Sequence, residues 1–360
     1  MIVYTIPMIL CLIFQLSELD DKKSKIAFNI TITILFLISA IRYNVGKDYQ
    51  HCIDIYNWIE NNSTGVYVEI AYKYLNIIIQ KIPFMNVYYL FITTSAFIIF
   101  SFGYMIKKEI KQEYWFVSIF IFIGSGVFFA TLNLIRQYIA ITIILLALPL
   151  LRNRKYIEFF LLIILASLFH TSAIIMLPFM IFYIIFHNYK FHKILTVIYI
   201  ISLIFMIIDI RQIIETLSFI IPQRWQWYLN SEYLTSRNTS AIVKQLVPNL
   251  LLIFIMLNRK KEIIDIEKND IYILMLYTDV IITNCFYGIL VLLRFSYFFD
   301  ISLIFIIPVV LELLKTYDKK IIILGNLGIW GYYILLTVVT IFIMNGQGVM
   351  PYNTLLSLLN

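Results

Sequence analysis

Two cations, a glycine and a carboxylate fall close together in Arg42-Tyr43-Asn44-Val45-Gly46-Lys47-Asp48-Tyr49. Arg42 and Lys47 carry the charge to clasp a phosphate, Gly46 lets the backbone approach it, and Asp48 is placed to orient or deprotonate a hydroxyl. The plainer reading of Arg42 is a snorkelling side chain with a loop salt bridge. A further cation, Arg136, stands beside Gln137 in an otherwise apolar stretch from Val127 to Leu151. A guanidinium there costs a few kcal/mol unless it faces a polar cavity or finds a partner. It therefore binds an anion or pairs with a carboxylate such as Asp48 or Asp300. His170, in Leu168-Phe169-His170-Thr171-Ser172, offers an imidazole able to take a proton from an attacking hydroxyl, or simply caps a helix. Arg294 opens Arg294-Phe295-Ser296-Tyr297-Phe298-Phe299-Asp300. Its spacing from Asp300 is longer than the i,i+4 of a helical ion pair, which leaves it as a second phosphate-binding arginine. Trp225, Trp227 and Tyr228 suit stacking on sugar faces, with Gln226, Asn230 and Arg237 bonding hydroxyls; such aromatics also belong at membrane interfaces.

Elements embedded in lipid must position these residues. Of 360 residues 61% are hydrophobic and only 14% charged, with a mean hydropathy of +0.88. A water-soluble domain needs about a quarter of its residues charged, so that class is excluded. Cys11, Cys52 and Cys285 stand far apart with no metal-ligand spacing, so neither a disulfide framework nor a zinc site is expected. The bases form short clusters without interleaved aromatics, which excludes a nucleic-acid partner. With no GxxxxGK[ST], GxGxxG or GxSxG motif, a soluble nucleotide donor and a hydrolase of the elbow type both lack support. No cofactor and no required divalent ion are expected, because the arginines can supply the charge and no carboxylate cluster has metal spacing.

Runs long enough to cross a bilayer number about twelve: roughly 2–16, 26–41, 87–106, 114–131, 134–151, 156–169, 171–186, 193–208, 242–257, 270–292, 295–314 and 321–344. The first lacks a basic leader and a small-residue cleavage site before Glu18, so it is expected to stay as a helix. Every second connection is basic: Lys22, Lys23 and Lys25; Lys107, Lys108 and Lys111; Arg152, Arg154 and Lys155; Lys190 and Lys193; Arg259, Lys260, Lys261 and Lys268; Lys315, Lys319 and Lys320. Lys and Arg collect in cytoplasmic loops, so both termini and the long loops about 42–86 and 209–241 are expected outside. The alternation keeps phase only if 156–169 and 171–186 are separate passes. Ten remaining bases, Arg42, Arg136 and Arg294 among them, then fall near the outer face, where an anionic ligand would explain them. Residues 66–78 have apolar residues near helical spacing and read as an interfacial helix. No repeat or linker divides the chain, so a single polytopic membrane domain over 1–360 is expected.

Three ordered motifs resemble the EpsG-like group of Wzy-type polysaccharide polymerases. They are Arg42 to Tyr49, Asn133-Leu134-Ile135-Arg136-Gln137-Tyr138-Ile139-Ala140, and, about thirty residues on, Ala166-Ser167-Leu168-Phe169-His170-Thr171-Ser172-Ala173. Met350-Pro351-Tyr352 resembles a terminal Pro-Tyr signature. Glu69-Ile70-Ala71-Tyr72 stands where relatives carry a glutamate, but without their nearby glycine. The resemblance implies an all-α polytopic membrane glycosyltransferase, similar to the C-type superfamily, acting at the outer side of a bacterial cytoplasmic (inner) membrane. It implies a substrate of oligosaccharide repeat units on undecaprenyl pyrophosphate as donor and acceptor, membrane lipids around it and a chain-length-setting co-polymerase as partner. In that picture Arg136 and Arg294, with Arg42 as a third contact, hold the leaving pyrophosphate. His170 is the first choice of general base and Asp48 the second. A lipid-linked oligosaccharide flippase and a membrane O-acyltransferase are the rival readings. The former would line a cavity open to both sides with cations, and the latter would use a histidine on sugar hydroxyls.

Overall fold

The computed structural model describes residues 2–17, 19–61, 67–187, 192–205, 239–258, 266–286 and 289–355. Helices occupy all twelve expected apolar runs, and no strand occurs among the described residues beyond an isolated antiparallel bridge between Arg42 and Thr354. Five helices are long and apolar enough to cross a membrane: Asp21–Ala40, Val87–Glu109, Ile135–Arg152, Ser296–Leu314 and Lys319–Ile343. Six shorter apolar helices of 10–17 residues accompany them. Of the roughly twelve expected crossings, five are thus matched by full-length candidates among the described residues. Two runs break where the backbone turns. The run 114–131 splits at Gly126, whose φ of +91° no helix accommodates, and 270–292 ends its first helix at Cys285.

Contacts divide the chain into two compact units, Met1–Ile174 with Tyr317–Asn360, and Ile175–Thr316. The first contains α1 (Ile2–Leu16), α2 (Asp21–Ala40), α3 (Tyr49–Glu60), α4 (Ile70–Lys81), α5 (Val87–Glu109), α6 (Trp115–Gly124), α7 (Val127–Thr131), α8 (Ile135–Arg152) and α9 (Tyr156–Ser167). The second contains α10 (Met176–Phe186), α11 (His192–Phe205), α12 (Thr239–Asn258), α13 (Ile266–Cys285), α14 (Leu290–Leu293) and α15 (Leu303–Leu314), after which α16 (Lys319–Thr337) returns to the first.

In the first unit α8 lies at the centre, packed between α5 and α9. Apolar all round, it is buried on nearly every side from Ile135 to Leu151. The outer helices bury one face only. On α1, Ile2, Ile6, Ile9 and Ile13 follow a helical stripe that is exposed, while Tyr4, Met8 and Cys11 face inward. A stripe of large apolar side chains left uncovered along a helix suits lipid rather than water. Gly124 on α6 permits a close approach to α16, since a Cβ there would meet Tyr333 Cβ at 2.9 Å.

One end of this unit collects three of the basic connections. Gln15 Nε2 donates to the Glu113 carbonyl at 2.8 Å, and Gln112 Nε2 to the Asp21 carbonyl at 3.3 Å. Arg152 at the end of α8 forks onto Glu109 at the end of α5, with Nη1 to Oε2 at 2.7 Å and Nη2 to Oε1 at 3.0 Å. A helix of twenty residues is about 30 Å long, so the far end of α2, where Arg42 begins, lies a bilayer core away.

The second unit is organised around α13, which packs on α11, α12 and α15. Asn284 and Asn249 bond each other's side chains at 3.2 Å, Asn284 Nδ2 donates to Ser202 Oγ at 3.1 Å, and Tyr199 donates to Asn249 Oδ1 at 3.0 Å. These buried amides satisfy one another across three apolar helices. Tyr183 on α10 donates to the Asp270 carboxyl at 3.1 and 3.2 Å.

Candidate functional site

At the Arg42 end of the first unit five separate stretches of chain meet: α1, the end of α2 with its turn, α5, residues 132–134 and the C-terminal segment. α2 stops at Ala40, and the turn that follows uses a positive φ at Asn44 (51°) and Gly46 (103°). Gly46 is required there, because a Cβ would stand 2.6 Å from Asn133 Oδ1 and 3.0 Å from the Leu132 carbonyl. Residues 132–134 are the interruption between α7 and α8. Their backbone bonds stay within the protein, the Leu132 N–H donating to the Phe129 carbonyl at 3.2 Å and the Asn133 N–H to the Ala130 carbonyl at 3.1 Å. Asn133 Nδ2 donates to Gln347 O at 2.8 Å and to Gln347 Oε1 at 2.5 Å.

Gln347 belongs to the C-terminal segment, which is laced to the 41–47 turn by backbone bonds. Tyr43 N donates to Asn353 O (2.9 Å), Gly46 N to Gly348 O (2.9 Å), Lys47 N to Gln347 O (3.3 Å) and Leu355 N to Ile41 O (2.9 Å). Tyr352 Oη donates to the Ile38 carbonyl at 2.9 Å, and Tyr4 Oη to the Val349 carbonyl at 3.0 Å. The Pro-Tyr signature near the end of the chain thus closes over the first motif. Its local sequence suggests no role, since nothing near it signals a pairing with residues so far away in the chain.

Arg42 is turned inward and is 1% exposed, whereas Lys47 is exposed, so the two cations expected to clasp one phosphate face different surroundings. The Arg42 guanidinium donates through Nη1 to the Ser39 carbonyl and to the Ser39 and Ser95 hydroxyls at 3.3 and 3.4 Å. Nη2 reaches the Leu132 carbonyl at 3.4 Å, and the Phe91 ring lies 4.9 Å away. Among the described residues no carboxylate pairs with it. Neutral oxygens and an aromatic face take the place of water at the two terminal nitrogens, while Nε is buried without a partner; these contacts tie α2, α5 and the break before α8 together.

Arg136 sits in the first turn of α8 and is 26% exposed. Its carboxylate partner is Glu69, neither Asp48 nor Asp300: Nη1 donates to Glu69 Oε2 at 2.5 Å. Glu69, 7% exposed, immediately precedes α4, and the next backbone N–H but one, that of Ala71, donates to the Leu168 carbonyl at 3.0 Å. The second and third motifs are therefore joined through the Glu69–Ala71 segment, where the resemblance places a glutamate without giving it a role. The signal available was an acid placed between the first long loop and an amphipathic helix. The interfacial helix expected over 66–78 is α4, offset to Ile70–Lys81.

His170 follows α9, where its N–H donates to the Ala166 carbonyl at 3.0 Å. Its Nδ1 lies 2.5 Å from Ser172 Oγ and accepts the Ser172 N–H at 3.4 Å. A backbone N–H can only donate, so in neutral His170 the ring proton belongs on Nε2 and the Nδ1 lone pair is directed at Ser172. Asp48 precedes α3, half-buried, and makes no side-chain cap bond to the helix. Arg294 is exposed between α14 and a 3-10 turn at Ser296–Phe298 in the second unit, which also holds Asp300. Trp225, Trp227, Tyr228 and Arg237 lie outside the described residues. No group of three or more His, Cys, Asp or Glu able to hold a metal ion occurs among the described residues.

Helices of this length and apolarity, with a polar constellation at one end of the unit, define a multi-pass helical membrane protein. The chain belongs to the EpsG family, whose model matches residues 25–354. No curated protein and no solved structure matches it.

Proposed function

We propose that this chain is a polysaccharide polymerase that joins oligosaccharide repeat units carried on undecaprenyl pyrophosphate, at the outer side of the bacterial cytoplasmic membrane. Family membership supports a polymerase-like membrane protein. The single observation that carries the site is Arg136, a partly exposed arginine at the N-terminal turn of a buried helix, beside the segments that hold Glu69 and His170. Such a helix start and guanidinium both favour an oxyanion.

In this reading a hydroxyl of one lipid-linked unit attacks the anomeric carbon of the growing chain. The carbon–oxygen bond to pyrophosphate breaks, and undecaprenyl pyrophosphate departs with its electron pair, its charge stabilised by Arg136. Arg294, in the second unit, is proposed as a phosphate-binding arginine in its own right. Arg42, being buried, supports the site from beneath and touches phosphate only if the turn over it opens. The hydroxyl proton passes to His170; because Nδ1 already engages Ser172, the route runs through the Ser172 hydroxyl, which gives its own proton to Nδ1 as it accepts the new one. Asp48 is the alternative base. Trp225, Trp227, Tyr228 and Arg237 are proposed to contact sugars, and a co-polymerase is proposed to set chain length.

A polysaccharide gel tests the proposal. In a deletion strain, the wild-type chain restores a ladder of repeats, while stably expressed Arg136→Ala or His170→Ala extends chains about a hundredfold less and leaves single-repeat material. A full ladder in the deletion strain, or loss of even the single-repeat product at the outer face, excludes polymerisation and favours a flippase.

A further inference from the structure

Two arginines of the first unit pair with glutamates, and they do so differently. Arg152 uses both Nη1 and Nη2, one on each oxygen of Glu109, a fork that engages both ends of the carboxylate. Arg136 gives Glu69 one nitrogen only, Nη1. Among the described residues its Nε and Nη2 donate to nothing, and neither is among the buried polar atoms sealed from solvent without a partner. These two nitrogens form the side edge of the guanidinium, two parallel N–H groups at the spacing of two phosphate oxygens. Glu69 is itself fixed, because it opens α4 and Ala71 bonds the Leu168 carbonyl. The Tyr72 ring, next in line on α4, lies 5.9 Å from the Arg136 guanidinium.

We propose that Glu69 is a positioning residue for Arg136: by holding Nη1 it fixes the guanidinium plane and presents the Nε–Nη2 edge to two oxygens of a pyrophosphate. This rests on the polymerase reading of Arg136 given above. A long side chain loses rotamer freedom whenever it binds. With Nη1 anchored beforehand, that loss is met in folding rather than in substrate binding. The ion pair also keeps Arg136 from turning into the apolar interior when no anion is present. The neighbouring negative charge weakens the attraction for phosphate, and the single-point contact limits this by leaving the opposite edge of the cation bare.

The test is binding of undecaprenyl pyrophosphate to the full chain in lipid nanodiscs, with thermal unfolding followed for every variant. Glu69→Ala is expected to weaken binding about tenfold. Glu69→Gln retains an oxygen that accepts from Nη1, so it should stay within about threefold of wild type and serves if Glu69→Ala fails to fold. In an Arg136→Ala background, Glu69→Ala should cost nothing further. Tighter binding in both Glu69 variants would make the glutamate a competitor and overturn the proposal. So would a tenfold loss that persists without Arg136, since Glu69 would then act elsewhere. Wild-type binding by Arg136→Ala would remove the pyrophosphate reading itself, a result distinct from either.

Discussion

Replacing Gly46 by alanine adds one methyl group at the most crowded point of the site. The backbone there has a φ of 103°, a conformation that costs a side-chain-bearing residue about 1–3 kcal/mol. The new Cβ would stand 2.6 Å from Asn133 Oδ1 and 3.0 Å from the Leu132 carbonyl, so Asn133 must swing away and the turn must lift. Asn133 then loses its bonds to Gln347 O and Oε1, worth about 1 kcal/mol each. Together the loss is about 3–5 kcal/mol, enough to detach the 345–355 segment locally. Hydrogen exchange reads this directly, because the Gly46 and Lys47 amides donate to Gly348 and Gln347 and lose protection when the segment opens. The polysaccharide gel should lose its ladder in parallel. Adding Asn133→Ala removes the 2.6 Å conflict but not the backbone strain, so the double variant should suffer less than the sum of the two singles. Unchanged exchange protection with a full ladder in Gly46→Ala would refute the account of why glycine stands there.

Further expectations follow from the rest of the molecule. Arg152→Ala leaves the Glu109 carboxylate, 2% exposed, without its fork; thermal unfolding should show a loss of about 3 kcal/mol, with per-molecule polymerisation unchanged. Asn284→Ala breaks the amide exchange with Asn249 and the bond to Ser202; a loss of about 2 kcal/mol is expected, and no shift in unfolding midpoint would contradict the network's role. At the start of α2 the Lys23 N–H donates to Asp20 Oδ1 at 2.8 Å and holds that carboxyl below its ordinary range. Its stabilisation is complete above the unfolded-state value near 4 and vanishes as pH falls through the lower folded value. Exchange at the Lys23 amide should therefore rise on acidification in the wild type and be pH-independent in Asp20→Ala once intrinsic exchange is divided out.

The helical elements were legible because each is specified locally. Long apolar runs declare a helix wherever the rest of the chain lies, and α2, α5, α8 and α16 fall on the expected runs. The break at Gly126 and the stop at Cys285 were missed because hydropathy averages over the run and ignores a single φ. In the site, Arg136 stood out as a charge where charge is expensive. Its partner did not, since Asp48, Asp300 and Glu69 are equivalent acids until α4 is docked beside α5. The inward turn of Arg42 was equally hidden. A sequence shows that a cation ends a helix, and only packing reveals that Ser39, Ser95, Leu132 and Phe91 close around it.

Composition, charge placement and motif order already mark a helical chain for lipid, the residues able to carry charge chemistry, and a resemblance through three ordered motifs. Composition and periodicity suffice for that, because burial in a bilayer is decided residue by residue against one uniform solvent. The tertiary structure alone decided which motifs touch. It joined Glu69 to Arg136, bonded the Glu69–Ala71 segment to Leu168 and closed the 345–355 segment over Gly46. Those contacts depend on hydrogen-bond geometry between segments that lie far apart in the sequence, where a difference of about one ångström separates a bond from none.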